Sequence, residues 1–168
     1  AVSQLLGPRL FVTLELAGLA TLISVIFIGI PNGLLAANYK SKWQDTAVRV
    51  FSLAALSVPV FWMGSMLILI FSVYFNWSPP LTWVSPTDDL WANISMMALP
   101  AFALGLAGAA PLVRMTRNSV LEVKGQNYIR TARSIGNSEI QILFNHALPN
   151  ASIPIITSAG LQFGFLLG

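Results

Sequence analysis

Between Glu15 and Lys40 the chain runs LAGLATLISVIFIGIPNGLLAANY, 24 residues (Leu16 to Tyr39) without a formal charge. As an α-helix rising 1.5 Å per residue this stretch is about 36 Å long, enough to cross the roughly 30 Å hydrocarbon core of a bilayer with some tilt. Three more such stretches follow: 38 residues between Arg49 and Asp88, 24 between Asp89 and Arg114, and 29 after Glu139. Each exceeds the roughly 18 residues that mark a membrane helix. They predict spans near 11–37, 50–75, 93–115 and 147–168. The second stretch is longer than one helix needs, but its tail, Asn76 to Trp83, is rich in prolines and tryptophans and reads as a loop at the membrane surface.

Composition agrees with an all-α polytopic membrane bundle. Of 168 residues 55% are hydrophobic and only 9% charged, against roughly a quarter charged in soluble domains. A cytosolic enzyme has too little polar surface here, and a disordered chain would be far less apolar. With no cysteine there is no disulfide framework, thiolate metal site or thiol nucleophile. The first apolar run is too long, and lacks the basic flank, for a cleaved signal peptide.

The net charge of +3 is distributed by topology and does not point to nucleic acid. Lys40, Lys42 and Arg49 follow the first span, and Arg114, Arg117, Lys124, Arg130 and Arg133 follow the third, whereas loop 76–92 carries only Asp88 and Asp89. The positive-inside rule makes the Lys/Arg side cytoplasmic and the Trp/Pro loop external. Asp88 and Asp89 read as solvated loop charges, and Glu15 as a residue near the outer interface.

Small residues predict close helix packing. Gly29 and Gly33, then Ala101, Gly105 and Ala109, then Gly160, Gly164 and Gly168 each line one helical face where backbones can approach. Pro31, Pro59, Pro100, Pro111 and Pro154 lie in or near spans, where each removes a helical hydrogen bond. Asn32, Ser158 and Gln162 are polar residues within apolar spans and so are candidates for lining a translocation pathway, although amides and hydroxyls also serve as interhelical bonds.

A search for catalytic chemistry finds no phosphate loop, no H-E-x-x-H and no G-x-S-x-G. His146 lies two helical turns after Glu139, a spacing compatible with an acid/base pair, but neither nucleophile nor metal ligand accompanies it.

The segment 114–149 is the most informative. Tyr128, Ile129, Ala132 and Ile135 recur at helical spacing opposite Arg130, Arg133 and Ser134, predicting a short amphipathic helix. Gly136 follows as a C′ glycine, and Ser138 to Gln141 fits the capping box S-x-x-Q that starts a second helix through Leu143 and His146 into the last span. Periodicity alone leaves two readings of the first helix open: a lipid-surface helix, or a docking element for a soluble partner.

The residues Tyr128 to Glu139 (YIRTARSIGNSE) and His146 to Pro154 (HALPNASIP) resemble the EAA-loop signature of permeases of bacterial binding-protein-dependent ABC importers, in the dipeptide, oligopeptide and nickel branch. Against E-A-A-x-x-x-G-x(9)-I-x-L-P, Ala132, Gly136, Leu148 and Pro149 match, while Arg130, Thr131 and His146 replace Glu, Ala and Ile in the manner of the peptide branch. Ile135 and Asn137 stand where that branch usually has Lys and Leu. The resemblance extends to Thr13–Leu16, Gly29–Pro31, Ser57–Trp62 and Leu112–Arg117.

This resemblance implies a multi-pass subunit of the bacterial inner membrane with no cofactor of its own. ATP and magnesium would belong to separate ATP-binding cassette ATPase subunits, which would receive the coupling segment, about 116–146, through Tyr128, Arg130, Thr131, Ala132, Arg133, Gly136, Leu148 and Pro149. It also implies a second permease subunit and an extracytoplasmic solute-binding protein docking near loop 76–92. The solute would be a peptide, nickel, glutathione or an oligosaccharide. Such permeases have about six spans, so four spans here lead to the expectation of a fragment. The competing readings are a membrane enzyme built on Glu139 and His146, and a structural anchor held by an interfacial helix.

Overall fold

The computed structural model describes residues 2–168, with side chains from Arg9 onward. It is all helix, with no strand among the described residues. Helix α1 (Val2–Leu22) continues through a π-helical segment (Ile23–Gly29) into α2 (Ile30–Asn38). Then come α3 (Trp43–Ser57), α4 (Val60–Phe75) and α5 (Leu90–Lys124). The chain ends with α6 (Asn127–Ser134), α7 (Glu139–Gln141), a second π-segment (Ile142–Ala147) and α8 (Leu148–Leu167).

Both π-segments have the same local cause. Each ends two residues before a proline, Pro31 or Pro149. A proline ring crowds the carbonyl four residues back and offers it no N–H. The chain responds by widening one turn, so that the Ile30 N–H reaches the Val25 carbonyl and the Leu148 N–H the Leu143 carbonyl, five residues back in each case.

Pro59 acts differently. It forces Val58 into an extended conformation (φ −90°, ψ 124°), which ends α3. Helices α3 and α4 then meet at 98°. The expected single helix over 50–75 is therefore a broken span that begins at Trp43. Its two ends nonetheless lie on opposite sides. Asp45 near its start is bonded to Arg117 at the inner end of α5, whereas Trp83, in the loop after α4, donates from Nε1 to Glu15 near the outer end of the first span (3.1 Å). With α3 and α4 taken as one span, four segments are long and apolar enough to cross a bilayer.

The third span is also longer than expected. Residues 116–124 continue α5 to Lys124, so the polar Arg117, Asn118, Glu122 and Lys124 are helical and do not begin a loop. At 35 residues α5 is about 52 Å long, well beyond the hydrocarbon thickness, and its excess lies at the Lys/Arg-rich end. Its outer start is capped by Asp89, whose carboxylate accepts the Ala92 N–H at 3.0 Å. Asp89 is thus an N-cap and not a free loop charge.

Helix α5 is the central post. A Cβ at Gly105 would lie 2.8 Å from the Ala20 carbonyl, one at Gly29 would lie 2.9 Å from Leu112 Cβ, and one at Gly33 would lie 2.5 Å from Thr116 Cβ. The Gly29/Gly33 pair thus meets α5 at Leu112 and Thr116, and Gly105 meets the first span at Ala20 and Ile23, and the order of these contacts shows the first span and α5 running parallel. The Gly160/Gly164/Gly168 ladder departs from expectation, because nothing lies within 4 Å of a Cβ at any of the three. Those glycines face outward. At the Lys/Arg-rich end Leu34, Ala37, Val120, Leu143, Ala147, Ala151 and Ile155 form a buried cluster joining α2, α5, the second π-segment and α8.

The chain has no native cysteine, so topology can be read directly. With single cysteines at the exposed positions Thr87 and Gln126, an impermeant thiol reagent added to intact cells is expected to label Thr87→Cys and spare Gln126→Cys. The reverse pattern would invert the orientation.

Candidate functional site

The segment after α5 is assembled by local rules. Gln126 is extended (φ −72°, ψ 152°) and turns the chain out of α5 into α6. Gly136 takes φ +95°, and a complete Schellman motif forms around it. The Gly136 N–H donates to the Arg133 carbonyl (3.0 Å) and the Asn137 N–H to the Ala132 carbonyl (3.2 Å). The capping box follows at once: the Gln141 N–H donates to Ser138 Oγ (3.3 Å) and the Ser138 N–H to Gln141 Oε1 (2.8 Å). Helix, glycine turn and capped helix are as expected from the residues.

The faces of α6 are divided differently from the expected division. Ile129 and Ala132 are buried against Ile142, with Val123 packed beside them. Tyr128 is 45% exposed and Ile135 76% exposed, and Thr131 between them faces outward too. Tyr128, Thr131 and Ile135 lie at i, i+3 and i+7, which is one helical stripe, with exposed Arg130 beside it. Ala132, expected to meet a partner, instead seats the helix on its own chain. A bulky residue there would disturb that seating whatever lies outside.

Arg133 is likewise engaged within the chain. Its Nε lies 2.5 Å from Glu139 Oε1, and Lys124 Nζ lies 2.9 Å from Glu139 Oε2. The Glu139 carboxylate raises the Arg133 pKa above its ordinary value. One carboxylate thus ties the end of α5, the last turn of α6 and the start of α7. An isolated surface pair contributes little stability, but a shared carboxylate restricts the relative orientation of all three helices. Neither Lys124 nor this role of Glu139 was visible in the sequence, because the 14 residues between the two include a turn and follow no helical period.

Leu148 and Pro149 stand apart from the exposed stripe. Leu148 packs on the buried cluster of Leu34, Val120 and Leu143, and Pro149, with Val25, Ile30 and Ser152, borders an apolar cleft of about 310 Å³ between the first span and α8. Among the pathway candidates, Gln162 accepts from Ser24 Oγ (3.3 Å) and packs on Gly108, with its Nε2 buried and unpartnered. Asn32 is half-buried and donates to the Ile28 carbonyl of its own helix (2.8 Å), and Ser158 is half-buried.

A buried ion pair escaped the sequence reading. Asp45 is 1% exposed, and its two oxygens accept from Arg117 Nε (2.8 Å) and Nη2 (2.7 Å). Arg49 Nε adds a contact at 3.4 Å, and the Ser41 N–H donates at 3.1 Å.

Residues 29–168 match the family described as binding-protein-dependent transport system inner membrane component, which takes in every helix from the end of the first π-segment onward. The chain belongs to that family. It is 41% identical over 167 residues to a Brucella abortus (strain 2308) protein provisionally named a peptide transport system permease, covering 99% of this chain and 53% of the relative. It is 39% identical to the dipeptide transport system permease protein DppB of Escherichia coli K12 (95% of this chain, 54% of the relative). It is 38% identical to the glutathione transport system permease protein GsiC of Escherichia coli O1:K1 / APEC (99% and 52%). The chain spans about half the length of the curated relatives it matches.

Membership in this inner-membrane permease family disfavours the enzyme and anchor readings. Glu139 is engaged by Lys124 and Arg133, and no group of three or more metal-ligating side chains occurs among the described residues.

Proposed function

We propose that this chain belongs to a permease subunit of an ATP-driven importer of short peptides, with α6 as the element that meets a separate ATPase. What carries the reading is the mounting of α6. Ile129 and Ala132 bury one face, the Glu139 ion pairs fix its angle, and Tyr128, Thr131 and Ile135 are left facing the cytoplasm. A helix so held moves as one body with the inner ends of α5 and α8, and force applied to the exposed stripe passes to both spans. ATP and magnesium reside on the ATPase, and a solute-binding protein delivers the solute near loop 76–92. A second permease subunit completes the pathway. Peptide is favoured over nickel and oligosaccharide because similar permeases are named for peptide, dipeptide and glutathione.

The test uses the full-length permease with its partners. At φ +95° a valine is strained by about 1 to 2 kcal/mol, so Gly136→Val is expected to misdirect α6 and lower both peptide uptake and ATPase co-purification at matched membrane levels. Glu139→Gln releases Lys124 and Arg133, and it should weaken uptake while leaving insertion intact. Asn137→Ala should behave as wild type. Normal uptake and normal ATPase retention in Gly136→Val would instead favour a lipid-surface helix.

A further inference from the structure

The ion pair between α3 and α5 borders a second feature. Beside it lies a cleft of about 350 Å³, lined by Arg49, Ser52 and Leu53 of α3 and by Val113, Arg114 and Arg117 of α5. Its depth in the membrane follows from the length of α5. From the Asp89 cap and exposed Trp91, about 30 Å of helix, or roughly 20 residues, reaches Pro111, so Arg114 and Arg117 fall at the headgroup level of the cytoplasmic leaflet.

Charge is unbalanced there. Three guanidinium groups face the cleft, and Asp45 is the one carboxylate in contact with them among the described residues. Arg117 takes both of its oxygens, Arg49 touches it only at 3.4 Å, and Arg114 has no carboxylate within 4.0 Å among the described residues. The cleft therefore holds a net charge of about +2, against the low-dielectric wall of Ala110 and Val113. Its lip is apolar: Leu53 lines the cleft and is exposed, and exposed Leu56 follows it on the same face of α3.

A cationic floor at headgroup depth with an exposed hydrocarbon lip matches an amphiphilic anion. We propose that this cleft binds the headgroup phosphate of an anionic phospholipid of the cytoplasmic leaflet, between Arg49 and Arg114, with an acyl chain running over Leu53. Guanidinium groups suit this task because they stay charged and give two parallel N–H donors to a phosphate. Arg117 is already committed to Asp45 and acts by holding α3 against α5, which keeps the two binding arginines on facing walls. The bound lipid would brace the bent span at its inner end, next to the 98° break.

The full-length permease is reconstituted in nanodiscs of phosphatidylcholine with stepped phosphatidylglycerol, and lipid retained after detergent extraction is quantified by mass spectrometry. The wild type is expected to retain phosphatidylglycerol selectively. Arg49→Gln with Arg114→Gln should lower that preference about 25-fold, taking about fivefold for each cation near the surface. Lys40→Gln, an exposed cytoplasmic-side cation outside the cleft, should not change it. In a second arm, wild-type protein is titrated with inorganic phosphate and with a short-chain phosphatidylglycerol as competitors, which requires no variant to fold. Displacement by the lipid alone supports the proposal. Equal displacement by inorganic phosphate would make this a free-anion site, and unchanged retention in the double variant or no preference over phosphatidylcholine would overturn it.

Discussion

Gly33→Leu is expected to abolish the stable permease, because the first atom of any side chain at this position is already too close to α5. A Cβ there would lie 2.5 Å from Thr116 Cβ, 2.7 Å from Thr116 Cγ2 and 3.0 Å from the Val113 carbonyl oxygen. Thr116 is fully buried, and the Val113 oxygen belongs to the backbone of the central helix. Relief requires α2 to move away from α5, which breaks the contacts of Ala36 with Val113 and Val48. Overpacking by one methyl group typically costs about 1 to 3 kcal/mol, so Gly33→Ala should lower the thermal midpoint of the detergent-purified permease and the leucine variant should fail to accumulate folded. Gly64→Ala, with open space around it, should leave the midpoint unchanged or slightly raised. Equal midpoints for Gly33→Ala and Gly64→Ala would show that α2 and α5 do not meet as described.

Asp45→Ala is expected to have an effect of comparable size by another mechanism. The carboxylate has four partners: both donor positions of Arg117, Arg49, and the N–H of Ser41, which is held at φ +63°. Its removal leaves Arg117, whose side chain is only 17% exposed, without a counter-charge, and it frees the turn between α2 and α3. Breaking one partner of a buried pair costs about 3 to 5 kcal/mol, with the lower end expected here because Arg117 retains some contact with solvent. Replacing both, as in Asp45→Leu with Arg117→Met, removes the orphaned charge and should recover much of the lost midpoint. If the double variant were no more stable than Asp45→Ala, the penalty would lie in the Ser41 turn and not in the guanidinium. The measurement is thermal unfolding of all three proteins at one lipid composition.

These two positions also show where the sequence stops being informative. The Gly29/Gly33 pair announced a close helix approach, but nothing in it named Thr116 as the residue approached. Asp45 sits in an ordinary polar stretch, 72 residues from Arg117, and no periodicity connects them. Pro59 signalled a disturbed helix, but a 98° break with both halves still in one crossing depends on what α3 and α4 pack against. On α6 the apolar spacing was legible, yet only the position of Ile142 decided that Ile129 and Ala132 turn inward while Tyr128 and Ile135 stay outside.

What the sequence by itself determined is what a single helix or turn can decide. Charge-free lengths marked the apolar helical stretches, the Lys and Arg distribution fixed their expected direction, and Gly136 with Ser138 to Gln141 set the turn and the restart of the helix. Each depends on groups within one helical span or a few residues, through bilayer partitioning or backbone hydrogen bonds, so the pattern carries its own physics. Only the tertiary structure decided the meeting of Asp45 with Arg117, the strut from Lys124 and Arg133 to Glu139, the basic cleft at Arg49 and Arg114, and the outward turn of the Gly160 ladder. These depend on which faces of separate helices pack together, and packing energy depends on shape and distance between residues whose separation along the chain is unconstrained.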